Sequence, residues 1–169
     1  MHGLACALGN AGQHAEAVEM FRTTLEARRR VLGEDHPDTL GSMNNLASAL
    51  DNAGQHAEAV EMSRTTLEAM RRVLGGDHPD TLGSMHGLAC ALGNAGRHAE
   101  AVEMHRSTLE ARRRVRGEEG PDTLSSMDVL ACLLGNAGQH AEAAEVARTT
   151  LEATRRVLGE EHPDRKSVV

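Results

Sequence analysis

The sequence predicts an all-α solenoid of antiparallel helix hairpins, about eight helices in one array over residues 1–169. Two observations predict it. Met1, Met43, Met85 and Met127 recur every 42 residues, and so do all four prolines, Pro37, Pro79, Pro121 and Pro163. Residues 1–42 match residues 43–84 at 35 of 42 places, and they match residues 85–126 at 35 places as well. A fixed period of this length marks stacked supersecondary units, here 1–42, 43–84, 85–126 and 127–168. No alternating strand pattern interrupts them.

Each unit holds two helical patterns, A and B. Pro-Asp-Thr-Leu, as at 79–82, opens an A helix. Proline is tolerated in a first turn, where its missing N–H has no partner to lose, and Asp80 sets negative charge at the positive helix start. Leu40, Met43, Leu46, Ala47 and Leu50 follow at three- and four-residue steps and so share one stripe. Asn52-Ala53-Gly54 stops the helix, because glycine accepts the left-handed cap conformation.

The B helix runs from about His56 to Leu74. Glu58 and Glu61 lie in its first half and Arg71 and Arg72 in its last turn, as the helix dipole favours. Ala59, Val60, Leu67 and Leu74 supply the apolar stripe. Glu26–Arg30, Glu68–Arg72, Glu110–Arg114 and Glu152–Arg156 are four apart and are expected to pair along the helix, each contributing ~0.3 kcal/mol. Gly75 ends the helix. A lone hairpin cannot cover its apolar faces, so neighbouring hairpins must complete the core. The first A helix lacks the Pro-Asp-Thr-Leu lead, and the last unit closes on Asp164-Arg165-Lys166-Ser167, so the terminal units are expected to be incomplete or uncapped.

Composition narrows the function. Eighteen Lys and Arg against 25 Asp and Glu give a net charge of −7, which argues against nucleic acid as partner. One Phe and no Tyr or Trp leave the core to Leu, Ala, Val and Met. Three widely spaced cysteines, Cys6, Cys90 and Cys132, suggest no disulfide framework and fit a cytoplasmic location. No apolar run approaches a membrane span, and no secretory signal is visible.

Met43-Asn44-Asn45-Leu46-Ala47, then Leu50, Gly54, Ala59, Leu67, Gly75 and Asp77-His78-Pro79-Asp80, resemble the 42-residue kinesin-light-chain form of the tetratricopeptide repeat. The resemblance spans essentially the whole chain. It implies a right-handed superhelix whose A helices line a concave groove that binds peptides. Carried onto this sequence, the groove comprises Asn44, Asn45, Ser48, Asp51 and Asn52; His86, Cys90, Gly93 and Asn94; Asp128, Cys132, Gly135 and Asn136; and, in the first unit, His2, Cys6, Gly9 and Asn10. Asn44 and Asn45 match the Asn pair with which the family holds a peptide backbone. Asn10, Asn52, Asn94 and Asn136 also suit the turn that follows them. The chain departs from the family where large residues belong: Leu8, Leu50, Leu92 and Leu134 stand late in helix A, and Phe21 is followed by Ser63, His105 and Ala147 in helix B. These changes shrink the core.

The two first units differ at seven places, and four of these, His2/Asn44, Gly3/Asn45, Cys6/Ser48 and Gly9/Asp51, fall on helix A away from the leucine stripe. His86 and Cys90 are spaced to chelate a metal, with Asp128 and Cys132 on the next helix. Helix axes ~8–10 Å apart are too wide for a ~2 Å ligand shell, so no metal or other cofactor is expected. His14, His56, His98 and His140 recur in every unit, which points to packing. The arginine clusters at 28–30, 71–72, 112–114 and 155–156 read as dipole complements on a solvated outer face. No acid–base or nucleophile pair breaks the period, so no enzymatic activity is expected. The leading expectation is a protein-interaction scaffold holding a peptide segment of a partner in the groove. The alternative is a structural array that associates end to end, or the sensor arm of a larger signalling protein.

Overall fold

The computed structural model describes residues 13–161. Seven helices follow one another: α1 (His14–Leu32), α2 (Pro37–Asn52), α3 (His56–Leu74), α4 (Pro79–Asn94), α5 (His98–Arg116), α6 (Pro121–Asn136) and α7 (His140–Glu161). The odd-numbered helices are B helices and the even-numbered ones A helices. The expected first A helix, with His2, Cys6, Gly9 and Asn10, lies outside the described residues. No strand occurs among the described residues.

Local chemistry accounts for the element ends. Pro37, Pro79 and Pro121 each open an A helix. The residue before the proline does more than the composition suggested. The Nδ1 atoms of His36 and His78 accept the backbone N–H of Asp38 and Asp80 at 3.2 Å, so each histidine is an N-cap. Gly120 replaces it in the third turn. Gly54, Gly96 and Gly138 follow the A helices with φ of +76°, a conformation that a side chain would oppose.

Packing alternates along the chain, each helix lying against its sequence neighbours, and the A helices also touch each other, α2 against α4 and α4 against α6. Gly93 permits that approach: a β-carbon there would come within 2.9 Å of Leu133 Cδ2. The deepest core comes from the A helices, where Leu40, Leu50, Leu88, Leu92 and Leu134 are fully buried. The late-helix leucines thus take the most enclosed places in the array. Met70, Val60 and Val102 join them from the B helices.

The B helices reach one another through long side chains instead. Arg22 pairs with Glu58 at 2.6 Å, Arg64 with Glu100 at 3.1 Å and Arg106 with Glu142 at 2.7 Å. A second ladder joins Arg72 to Asp35, Arg114 to Asp77 and Arg156 to Glu119. This corrects the expectation that Arg72, Arg114 and Arg156 pair with Glu68, Glu110 and Glu152 of their own helices. Arg72, Arg114 and Arg156 cross the repeat boundary to the turn of the preceding unit. A register of 42 residues puts a carboxylate beside each of them there. With backbones close on the A side and bridged by side chains on the B side, the A row forms the inner surface.

Candidate peptide groove

The valley between α2 and α4, floored by α3, is a concavity on the inner surface. It holds two adjoining cavities. One, of about 360 Å³, is lined by Asn44, Ser48, Asp51, Ser63, His86 and Cys90, with Ala47, Gly87 and Ala91 among its small walls. The other, of about 380 Å³, is lined by Arg28, Asp38, Asn45, Met70 and Asp80. Asn44 and Gly83 border both, so the two cavities lie side by side along one trough.

The floor explains the trough. Phe21, on α1, is buried. Its counterpart on α3 is Ser63, which cannot fill the same volume. Seven residues further along α3, Met70 stands where α1 has Arg28. Arg28 donates to the Asp38 carbonyl and the Ser42 hydroxyl, both at 2.8 Å, and Arg112 repeats this with Asp122 and Ser126. Met70 makes no such clamp. Asn44 fills in: its Nδ2 contacts Met70 Sδ at 3.6 Å, and its Oδ1 accepts the Ser84 hydroxyl at 3.0 Å. Asn44 therefore holds α2, α3 and α4 together at the waist of the trough. Its amide is already engaged within the chain.

Asp51 is the second organising residue. Its carboxylate accepts His56 Nδ1 at 2.8 Å and Asn94 Nδ2 at 2.7 Å. Asn94 accordingly ties α4 to α2, a role beyond the turn expected for it. Asn52, Ser48, Asp128, Cys132 and Asn136 are exposed, whereas Asn45, Asp51, His86 and Cys90 are half-buried. Asp128, Cys132 and Asn136 lie on α6 and line neither cavity.

His86 and Cys90 are close, with Nε2 and Sγ 3.7 Å apart. Burial, helped by Asp51, pushes the thiol up, and burial beside Arg112 pushes the imidazole down. Both shifts oppose a thiolate–imidazolium pair, and His86 Nδ1 has no partner to orient the ring. The arrangement lacks what nucleophilic catalysis needs. Among the described residues no three His, Cys, Asp or Glu side chains are gathered where an ion would fit.

Sequence comparison of the first two units pointed to four divergent places, Asn44, Asn45, Ser48 and Asp51. Ser63 and Met70 belong with them. Six of the seven residues by which unit 43–84 departs from unit 1–42 line this trough, Gly76 being the exception. The two missed residues sit on a B helix. The signal was in the same comparison, but their direction toward the groove is visible only after folding.

Stacked helical hairpins with a grooved inner face define a repeat scaffold. The tetratricopeptide repeat profile matches residues 1–70, 42–113 and 123–164. A crystal structure of nearly identical TPR-like repeats from a Podosopora anserina kinesin light chain protein superposes with a TM-score of 0.84 and 32% identity, covering 97% of this chain and 78% of that one. BtubC (BKLC) from P. vanneervenii shares the fold, with a TM-score of 0.81, 19% identity and coverage of 95% and 63%. A TPR-like protein from Chlorobium tepidum does so at a TM-score of 0.60 and 23% identity, covering 80% and 90%. No curated protein matches in sequence. The chain belongs to the tetratricopeptide repeat family, and its repeats are of the kinesin-light-chain type.

Proposed function

We propose that the chain is a protein-interaction scaffold that grips a peptide segment of a partner in the trough between α2 and α4. The observation that carries this reading is the clustering of divergence. Unit 43–84 departs from unit 1–42 almost solely along this trough, whereas unit 85–126 keeps the groove positions of unit 1–42 and departs from it elsewhere, as at Arg97, His105 and Gly120. Asn45 and Ser48 serve as contact residues, and Asn44 and Asp51 as the residues that hold the walls. Asn52, His86 and Cys90 complete the lining, Asn94 lies outside it and holds Asp51, and Asp128, Cys132 and Asn136 extend the surface along α6. The free thiols of Cys90 and Cys132 suit a reducing cytoplasm. No described helix is long and apolar enough to cross a membrane.

The test is selection of a displayed random-peptide library on the full chain, followed by calorimetry of the selected peptides. Ser48→Tyr, which lays a ring across the trough from an exposed position, is expected to weaken them at least about tenfold with an unchanged melting temperature. Unchanged affinity would remove the groove from consideration.

One observation supports a second reading, end-to-end self-association. Leu25, Leu67 and Leu109 are 2%, 4% and 5% exposed, but their counterpart Leu151 is 50% exposed. A second copy stacked on α7 would cover it. Sedimentation velocity is then expected to show a concentration-dependent size that Leu151→Glu abolishes. A monomer at all concentrations would reject this reading.

A further inference from the structure

We infer that the cavity over Ser63 is a side-chain pocket for a lysine or arginine of the bound segment, with Asp51 as its counter-charge. The inference rests on the peptide-groove reading and names the chemistry of one subsite.

Three features of the cavity support it. Its side walls, Ala47, Gly87 and Ala91, are small and apolar and suit an alkyl stem. Ser63 is 4% exposed and lines the cavity, yet its hydroxyl has no hydrogen-bond partner among the described residues. That hydroxyl is open to the cavity and can accept a hydrogen bond from an ammonium or guanidinium placed there. Asp51 is the only acidic side chain on the lining. Its side chain is 14% exposed, so a cation placed beside it is weakly screened. Each of its oxygens has one hydrogen-bond partner, His56 or Asn94, which leaves lone pairs for another donor.

The surroundings reinforce the sign. The adjoining cavity carries Asp38 and Asp80 against the single cation Arg28, whose Nη1 is already bound to the Asp38 carbonyl and Ser42. Taken together, the trough has three carboxylates and one guanidinium on its walls. His86 shares the lining, and burial together with Arg112 pushes its imidazole down, which disfavours an opposing charge there. An aromatic or aliphatic side chain would fit the volume. It would also seal the Ser63 hydroxyl and the Asp51 carboxylate away from water without a donor, at a cost that a cation avoids.

The experiment is a positional scan of the peptides selected on the full chain, each position replaced in turn by every residue type, with affinity measured for the unaltered chain, Asp51→Asn and Ser63→Phe. One position is expected to require Lys or Arg, with about tenfold loss on replacement by an uncharged residue. Asp51→Asn removes the charge while its one amide oxygen can still accept from Asn94, and it is expected to erase that preference. Ser63→Phe fills the cavity as Phe21 fills its own site and is expected to abolish it too. Should Ser63→Phe misfold, Asp51→Asn decides alone. Selected peptides with no cation requirement, or a requirement that survives Asp51→Asn, overturn the pocket while leaving the groove intact. Failure to select any peptide overturns the groove reading and the pocket with it.

Discussion

Leu67→Ala is expected to lower the unfolding free energy by about 3 kcal/mol, and Leu151→Ala by about 1 kcal/mol or less. Both leucines sit in the same six-residue string, Arg-Thr-Thr-Leu-Glu-Ala, at residues 64–69 and 148–153. Helix propensity, local charge and side-chain entropy are therefore nearly equal. The difference lies in what stacks on each. Leu67 is 4% exposed because α4 closes over α3, and Leu151 is 50% exposed because no described helix follows α7. Removing an enclosed leucine loses its transfer free energy and leaves a cavity, and removing a half-exposed one loses only part of the first contribution. Urea denaturation followed by circular dichroism at one protein concentration measures both. Equal losses would mean that neighbouring hairpins do not complete each other's burial.

Acidification from pH 6.5 to 4 is expected to remove about 3 kcal/mol of stability through His105 alone. The ring is fully buried, and its Nε2–H donates to the Ser126 carbonyl at 2.9 Å. Nδ1 is enclosed without a partner. Burial, the His86 ring 5.3 Å away and nearby Arg112 together push the imidazole down to about 4, although the bond to Ser126 favours the charged form. The unfolded chain takes up this proton near pH 6.5. Between the two values the unfolded state binds more protons than the folded one, so stability falls as pH falls. The contribution is fully present above pH 6.5 and gone below 4. His105→Phe, which restores the residue type of Phe21, is expected to flatten this part of the pH profile while keeping the core filled. Parallel losses for the two proteins across this window would exclude the buried neutral imidazole as the cause.

How much of this was legible beforehand differs from residue to residue. The helix spans were, since Pro79 and Gly54 act on their own backbone. The burial of Leu50, Leu92 and Leu134 followed from the 3.6-residue stripe. The partner of Arg72 was not: a four-residue spacing suggests Glu68, but a carboxylate 37 residues earlier, Asp35, lies closer once units stack. Nor was the role of Asn44, whose contacts to Met70 and Ser84 come from two other helices. The candidate groove was half visible. Its A-helix wall is a periodic face of one segment, while its floor at Ser63 and Met70 belongs to a separate helix.

Periodicity and capping chemistry are properties of a short stretch of backbone, which is why the described hairpins and the lengths of their helices could be written down from the residues. The trough, the inter-repeat ion ladders and the contrast between Leu67 and Leu151 depend on which side chains meet across a joint. That is set by the rise and rotation from one hairpin to the next. Identical strings of residues therefore acquire different surroundings, and only the stacked array assigns them.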